Sequence, residues 1–339
     1  MKAILLRVFV YSLAFFYGSL VAVYMFFSWL RHPTRNIFKV KERPTPPECL
    51  NDASLGEHHY VQLKNVKLHY VEKGDRKKPL MLFVHGFPEF WYSWRHQMKE
   101  FSKDYWTVAI DMRGYGDSEK PKNVADYSKT NLVDDLKDLI IALGKEKCIL
   151  VAHDWGGVVA WSFLMKYPEM TEKYIIMNGP MSLAYRDAVL NDKKQLFLSW
   201  YIYFYQLPYL PELWAKSNDM RMFKILRAGN KSSKVTNEDI EAYKYTFGKP
   251  GAFTGPINYY RANFVGMVNK DSPRQTRKIT VPGLVVWGSK DFFLDIRIVE
   301  YTKKYAENLE VEVIEGGNHF VQQDEPEKTN AAMRKYLAS

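Results

Sequence analysis

One carboxylate stands at a position where a nucleophile would be exposed. Asp154 lies between an apolar run at residues 148–151, which predicts a short buried strand, and residues 158–164, whose apolar positions predict a helix. Small residues flank it two positions before and after, at Ala152 and Gly156. This spacing is typical of a nucleophile elbow, a sharp turn that exposes one side chain above a sheet. The usual residue there is serine.

An aspartate at this position indicates attack on a saturated carbon. A carboxylate that attacks such a carbon forms an ester, which activated water can cleave, whereas serine would form an ether that water does not cleave at useful rates. Asp154 therefore predicts an epoxide or an alkyl halide as the electrophile. It argues against an ordinary esterase or lipase.

Polar segments follow three other predicted strands, at the edge where open α/β sheets bind ligands. The segments are HGFPE at 85–89, GSKD at 288–291 and GNH at 317–319. Nucleophile, acid and histidine then occur in the chain order of an α/β-hydrolase triad. We expect His319 to be the base that activates water and Asp291 to orient its ring.

Hydrolysis of an ester on Asp154 would create an oxyanion on that same side chain, and an oxyanion needs hydrogen-bond donors. The elbow places the backbone N–H of Trp155 for this role, and the second donor would be the N–H of Phe87. Pro88 follows Phe87, and a cis peptide bond between them would aim that N–H.

The order of apolar segments predicts an α/β fold: a mostly parallel, doubly wound sheet with an inserted helical lid. The predicted strands are 60–63, 66–71, 80–84, 106–110, 148–151, 174–177, 283–287 and 311–314, and the predicted core helices include 131–143, about 296–305 and one from residue 325. We expect the core at 46–180 and 278–339 and the lid, rich in aromatic residues, at 181–277.

Residues 8–30 contain no charge, and 23 such residues can cross a bilayer as a helix. A cleaved signal peptide fits less well, because its apolar region is usually about 7–15 residues and ends in a small-residue cleavage site. We expect residues 1–45 to be a signal anchor and linker of a single-pass protein of the endoplasmic reticulum. Basic residues are more frequent after the span, which favours a cytoplasmic catalytic domain. The sequon at Asn230, which would matter only in the lumen, leaves the orientation open.

The composition favours a globular protein without metal or disulfides. The 339 residues carry a net charge of +10, but lysine and arginine are scattered among acids, so we do not expect nucleic-acid binding. Cys49 and Cys148 form no disulfide framework and have no metal-ligand spacing with a histidine. No required protein partner is evident.

Three motifs resemble those of the epoxide hydrolases that have the α/β-hydrolase fold. They are HGFPEFW at 85–91, HDWGG at 153–157 and GPINYYR at 255–261, and the likeness runs from about residue 55 to the C-terminus. With the N-terminal anchor, the chain resembles the membrane-anchored epoxide hydrolase 3 and 4 group, closer to 4. The resemblance implies conversion of epoxides, including fatty-acid epoxides, to vicinal diols, with no metal or organic cofactor.

In that family, two lid tyrosines protonate the epoxide oxygen as the ring opens. Tyr260 matches one of them, since it precedes the arginine of the motif. The other falls within WYIYFYQLP at 200–208, where counting back from the glutamine favours Tyr201 but leaves Tyr203 and Tyr205 open.

We further expect Pro88, Trp91 and Tyr203 to line the substrate pocket. Two other functions compete with epoxide hydrolysis. Haloalkane dehalogenases share the HDWG elbow, but a halide leaves without a proton, so acidic tyrosines favour an epoxide. The second competing function is that of a lipid-binding or interaction protein that keeps the fold without catalysis.

Overall fold

A computed structural model describes residues 2–31, 36–228, 233–268 and 278–339. Within these residues, eight strands form a single sheet. They are β1 (Glu57–Gln62), β2 (Lys67–Lys73), β3 (Leu80–Val84), β4 (Trp106–Ile110), β5 (Cys148–His153), β6 (Thr171–Met177), β7 (Gly283–Gly288) and β8 (Leu309–Ile314). Their spatial order is β1-β2-β4-β3-β5-β6-β7-β8, and β2 runs antiparallel to both of its neighbours while the others are parallel.

The sheet is organised around β3 and β5, whose side chains are all buried. Such continuous apolar strands form where helices cover both faces of a parallel sheet. Helices from the core surround the sheet: α2 (Arg95–Phe101), α3 (Lys129–Ala142), α4 (Trp155–Lys166), α11 (Ile298–Thr302), α12 (Val321–Asp324) and α13 (Pro326–Ala338). The predicted α/β fold class is confirmed.

The register between β3 and β5 brings two functional loops together. Val84 pairs with Ala152, so the loop after β3 and the turn after β5 leave the sheet side by side. β7 and β8 end at the same edge, because the four strands are parallel. Polar residues that lie far apart in the chain can therefore meet there.

Between β6 and β7 the chain leaves the sheet, and the described residues of this segment form six α-helices. They are α5 (Ser182–Asn191), α6 (Lys193–Leu198), α7 (Trp200–Phe204), α8 (Leu210–Met220, with non-helical backbone at 217–219), α9 (Asn237–Gly248) and α10 (Thr254–Val268). We call this insert the lid. Short 3₁₀ helices lie at Glu48–Leu50, Trp91–Trp94, Val124–Tyr127, Pro168–Met170 and Arg221–Arg227. The sequon at Asn230 lies outside the described residues.

The N-terminal segment forms one helix, α1 (Lys2–Arg31), which is longer than the predicted span at 8–30. By length and composition α1 could cross a membrane, and a signal sequence would pass the same test. One of its faces packs on the lid, with Val10 and Ala14 almost fully buried. The opposite face carries exposed aromatic and aliphatic side chains.

Candidate active site

The nucleophile elbow is formed where β5 meets α4. Asp154 has φ +49° and ψ −116°, a strained backbone of the kind found at functional sites. A Cβ on Gly156 would lie 2.2 Å from the Val84 carbonyl oxygen, and one on Gly86 would lie 2.4 Å from the Asp154 Cβ. Glycine at both positions therefore allows the loop after β3 to contact the Asp154 side chain.

Each carboxylate oxygen of Asp154 has a different neighbour. The backbone N–H of Phe87 donates to Oδ1 at 2.7 Å, and Oδ2 lies 3.5 Å from His319 Nε2. Burial raises the pKa of Asp154, but the hydrogen bond and charge of His319, with the Phe87 N–H, outweigh burial and lower the pKa below its usual range. The carboxylate is therefore ionised and oriented. The peptide bond between Phe87 and Pro88 is cis.

His319 is held from its other side by Asp291, with 2.8 Å between Nδ1 and Oδ2. The Oδ1 atom of Asp291 accepts from the backbone N–H groups of Phe293 and Leu294, at 2.8 and 3.0 Å. The side-chain amide of Asn178 donates to Oδ2 at 2.7 Å. Sequence reasoning missed Asn178, which follows β6 with φ +41°. Only the strand end preceding it could have drawn attention to it.

The electrostatics of His319 depend on two carboxylates. Burial lowers the pKa of His319, but Asp291 and Asp154 outweigh burial and raise the pKa to about 10. His319 therefore carries two protons at neutral pH while Asp154 is ionised. A neutral Asp154 would remove one of the two charges that hold this second proton.

A buried acid supports the histidine from behind. Glu89 Oε2 lies 2.6 Å from His153 Nδ1, and His153 Nε2 lies 2.8 Å from the carbonyl oxygen of His319. The side-chain amides of Gln322 and Gln323 each donate to Glu89 Oε1 at 2.8 Å. Glu89 and His153 are fully buried, so this network fixes the backbone that carries the base. Sequence reasoning missed their pairing, because 64 residues separate them.

A cavity of about 210 Å³ lies above the carboxylate and the histidine. Its lining combines Asp154 and His319 with apolar and aromatic residues, namely Phe87, Pro88, Trp200, Tyr201, Tyr205, Trp214, Met222, Ile225, Tyr260 and Phe293. Burial, followed by the nearby charge of Asp154, raises the pKa of Tyr201 and of Tyr260 well above the usual value. Both hydroxyls therefore keep their protons at neutral pH.

Two residues expected in the pocket lie elsewhere. Tyr203 does not line the cavity: on α7 it lies on a different face from Tyr201 and Tyr205, and its ring packs 5.1 Å from Phe264. Trp91 does not line it either, because the 3₁₀ helix after the Pro88 turn directs it toward β1, where its ring lies 5.1 Å from that of His58. The expectation for both residues is corrected. Tyr203 is thereby removed as a candidate acid, leaving Tyr201 and Tyr205.

Arg261 connects the segments that carry the cavity tyrosines. Its guanidinium donates to the backbone oxygens of Tyr205 and Leu207 at 3.1 and 2.5 Å, and it pairs with Glu212 at 2.7 Å. The tyrosine on α10, Tyr260, immediately precedes it in the chain. The tyrosine rings on the two segments are close, with 4.9 Å between the centroids of Tyr205 and Tyr260. One partly buried cation thus fixes both tyrosine-bearing segments.

The residues that meet at this edge are a carboxylate nucleophile, a histidine with its orienting acid, and an aromatic lid. The model of the α/β hydrolase fold family matches residues 79–326. The chain therefore belongs to the α/β-hydrolase fold family.

Relatives within this family narrow the assignment. Epoxide hydrolase 4 of Mus musculus is 42% identical over 309 residues, which cover 88% of this chain and 85% of that protein. Epoxide hydrolase 3 of Xenopus tropicalis is 39% identical over 342 residues, covering 97% and 92%. A crystal structure of the Bacillus megaterium epoxide hydrolase with an inhibitor aligns with a TM-score of 0.77 at 31% identity, covering 83% of this chain and all of that one. The chain is an epoxide hydrolase of the 3 and 4 group.

Proposed function

We propose that this enzyme converts lipophilic epoxides to vicinal diols through a covalent ester on Asp154. The proposal rests on the different surroundings of the two carboxylate oxygens of Asp154. Oδ1 is held by the Phe87 N–H, while Oδ2 faces His319 inside an aromatic cavity. A side chain placed in this way can be alkylated on one oxygen and retain the hydrogen bond on the other.

In the first step, Asp154 Oδ2 attacks one carbon of the epoxide and the bond from that carbon to the ring oxygen breaks. The electron pair of the broken bond stays on the oxygen as an alkoxide. Tyr260 donates its proton to this oxygen, with Tyr201 as the second acid. Tyr205 lines the same cavity and is the alternative to Tyr201. The products are a hydroxyalkyl ester of Asp154 and a tyrosinate.

Ester formation changes the charge that His319 experiences. Asp154 becomes neutral, so one of the two carboxylates that raise the pKa of His319 is lost and that pKa falls. The second proton of His319 passes to the tyrosinate, which restores the acid and leaves the imidazole neutral. The ring is then a base at the moment when one is needed, and Asp291 continues to orient it.

In the second step, His319 takes a proton from water while the hydroxide attacks the carboxyl carbon of the ester. The oxyanion forms on the oxygen already held by the Phe87 N–H. The second donor is the Trp155 N–H, which lies in the first turn of α4, where N–H groups have no partner within the helix. The intermediate collapses, the diol oxygen leaves with the remaining water proton, and His319 again carries two protons. Atoms and protons balance over the cycle.

The composition of the cavity supports apolar substrates. Apart from Asp154 and His319, its lining consists of aromatic, aliphatic, methionine and proline side chains. Within the lid, α8 contributes Trp214, and the 3₁₀ helix that follows α8 contributes Met222 and Ile225. Such walls bind hydrocarbon next to the epoxide. Together with the resemblance to the epoxide hydrolase 3 and 4 group, they favour fatty-acid epoxides as substrates.

The proposed location is a membrane of the endoplasmic reticulum, with the catalytic domain in the cytoplasm. Helix α1 has the length and composition of a membrane helix. Exposed basic residues flank its C-terminal end, including Arg31, Lys39 and Lys41, and the anionic lipids of the cytoplasmic leaflet would attract them.

The ester can be trapped by removing the base. His319→Gln keeps a polar side chain but cannot accept the water proton, so the alkylated enzyme should accumulate. Intact-protein mass spectrometry of this variant after exposure to an epoxide of oleic acid should show a gain equal to the whole epoxide mass, because the ring opens without a leaving group. The adduct should map to the peptide that contains Asp154.

Two controls define the outcome of that trap. Asp154→Asn in the His319→Gln background should abolish the adduct, and His59→Gln, on β1, should turn over normally without one. An unmodified His319→Gln protein that still forms diol would contradict the ester mechanism. Release of halide from chloroalkanes, with no diol from any epoxide, would instead favour the dehalogenase reaction.

A further inference from the structure

Helix α1 is packed against the lid along one continuous stripe. Its buried positions recur every three or four residues, which places them on one helical face; they are Val10, Ala14, Gly18, Val21 and Met25. At the centre of the stripe, a Cβ on Gly18 would lie 2.3 Å from Leu207 Cδ1 and 3.7 Å from Leu210 Cδ2. Glycine at this position therefore allows the helix to approach the lid closely.

This contact reaches the wall of the catalytic cavity. The ring of Tyr17, on the packed face of α1, lies 6.1 Å from that of Trp200 and 6.3 Å from that of Tyr203. Trp200 also lines the cavity above Asp154. A single side chain thus separates α1 from the space where the substrate binds.

The opposite face of α1 is an apolar surface that no other described residue covers. Its exposed large side chains are Ile4, Leu5, Val8, Phe9, Tyr11, Phe15, Phe16, Leu20, Val23, Tyr24, Phe26, Phe27, Trp29 and Leu30. The lid adds Phe197, Tyr209 and Leu213, and Tyr209 is 81% exposed. A patch of this size is much larger than monomeric soluble proteins expose to water.

Docking and crossing the bilayer exclude one another. From Val10 to Met25 the packed stripe is about 22 Å long at about 1.5 Å per residue, and the hydrocarbon core of a bilayer is about 30 Å thick. A docked helix that crossed this core would carry the adjoining lid into it. The lid helices α8 and α10, which pack on α1, carry charged groups, among them Lys216 and the Arg261–Glu212 pair. Charged groups at that depth are strongly disfavoured.

We propose that α1 stays docked on the lid in the membrane-bound enzyme and lies along one leaflet, with its exposed face in the lipid. The chain then binds one side of the membrane, in place of the single crossing that the sequence predicts. The occupant of the exposed face is the bilayer itself. Trp200 would stand between the lipid and the cavity, a role that rests on the proposed function.

The charges at the two ends of α1 fit this orientation. Arg7 is exposed near one end, and Arg31, Lys39 and Lys41 are exposed at or beyond the other. Between them, residues 8–30 carry no charge. A helix lying along a leaflet places both basic ends at the headgroups of the same surface, where anionic lipids attract them.

Docking can be tested by a disulfide in the full-length protein. In a Cys49→Ser background, Gly18→Cys with Leu207→Cys should form a disulfide when the protein is oxidised in vesicles of phosphatidylcholine and phosphatidylserine. The linked peptides would be detected by mass spectrometry. The matched control is Ser19→Cys with Leu207→Cys, because Ser19 is adjacent but lies on the exposed face, and it should not cross-link.

Topology is the second measurement, made on the same sealed vesicles. A protease added outside should remove an N-terminal epitope tag from those molecules whose catalytic domain is also accessible. A tag protected on the opposite side would overturn the proposal, as would failure of the Gly18–Leu207 pair to cross-link. Cross-links between two copies through Phe16→Cys would assign the exposed face to a second chain and also overturn it.

These readouts are independent of catalysis. If the wild-type protein forms diol but the cross-link and the same-side topology fail, only the docked arrangement is wrong. If both structural results hold and no epoxide is hydrolysed, the failure lies with the proposed function.

Discussion

The sheet edge and the lid contribute to the same cavity in different ways. At the edge, each oxygen of Asp154 and Asp291 faces a defined partner at 2.7–3.5 Å. In the lid, the groups facing the cavity are mainly aromatic rings. The segments that carry these rings are held by Arg261, which bonds the backbone of Tyr205 and pairs with Glu212. In the proposed mechanism, the edge would carry out the covalent chemistry, whereas the lid would supply protons and an apolar surface.

If the edge carries the chemistry, loss of its nucleophile should have the largest effect. Asp154→Asn keeps the shape and the acceptor for the Phe87 N–H but removes the nucleophilic charge. We expect diol formation to fall by on the order of 10⁴-fold or more, as for other catalytic nucleophiles. Steady-state assays should show the loss in kcat. The control is Asp75→Asn, at an exposed turn residue, which should retain activity. An Asp154→Asn protein with a kcat within tenfold of wild type would contradict the assignment of the covalent chemistry to the sheet edge.

Loss of a lid acid should have a smaller effect. Tyr260→Phe removes the proton donor and keeps the ring, so alkylation should slow by about 10²-fold, the lower end for a general acid. Tyr201→Phe and Tyr205→Phe should separate the second acid from a merely packed ring. Tyr203→Phe, whose ring lies outside the cavity, is the control and should change little. Pre-steady-state rates of ester formation measure these effects, and equal rates for Tyr260→Phe and wild type would remove the acid role.

Weakening the Glu89–His153 contact, which holds the backbone of His319, should slow turnover less than removing His319 itself. Glu89→Gln preserves the shape but leaves a neutral partner beside His153, so the carbonyl contact that holds His319 should loosen. We expect about tenfold slower ester hydrolysis, since small misplacements of a catalytic group cost rate. Ester formation should change little, because Asp154 is still held by Phe87. A variant slowed equally in both steps would indicate a general loss of structure.

The electrostatic link between the two steps can be measured without turnover. Asp154→Asn removes a carboxylate that faces His319, so the pKa of His319 should fall from about 10 toward the value set by burial and Asp291. The sign follows because a negative neighbour stabilises the protonated ring. NMR titration of the imidazole in the two proteins would show the shift. An unchanged pKa would contradict the proposal that His319 becomes a base when Asp154 loses its charge.

Sequence reasoning was more informative about the edge than about the lid. The parallel strands and the residues that follow them could be predicted, because a buried strand is a continuous apolar run and its end is marked by glycine and polar residues. The structure brings Asp154, His319 and Asp291 together at this edge, and their catalytic roles stay predictions. Asn178 and the Glu89–His153 pair could not be predicted, because their partners come from distant loops.

In the lid, the many aromatic residues gave no indication of which helix face meets the cavity. Residues 200–205 contain three tyrosines, and only the turn of α7 separates Tyr201 and Tyr205 from Tyr203. Trp91 was misplaced for a similar reason, since a 3₁₀ helix redirected it. The docking of α1 also gave no signal, because apolar residues surround the whole helix.

The ester on Asp154 is tested most directly by one turnover in oxygen-18 water with enzyme in excess over epoxide. If water attacks the carboxyl carbon of the ester, the label enters the Asp154 carboxylate and the diol carries oxygen from the protein. Mass spectrometry of the peptide containing Asp154 and of the diol should therefore find label in the peptide and none in the diol. Label in the diol of the first turnover, with an unlabelled Asp154, would show direct attack by water and contradict the mechanism.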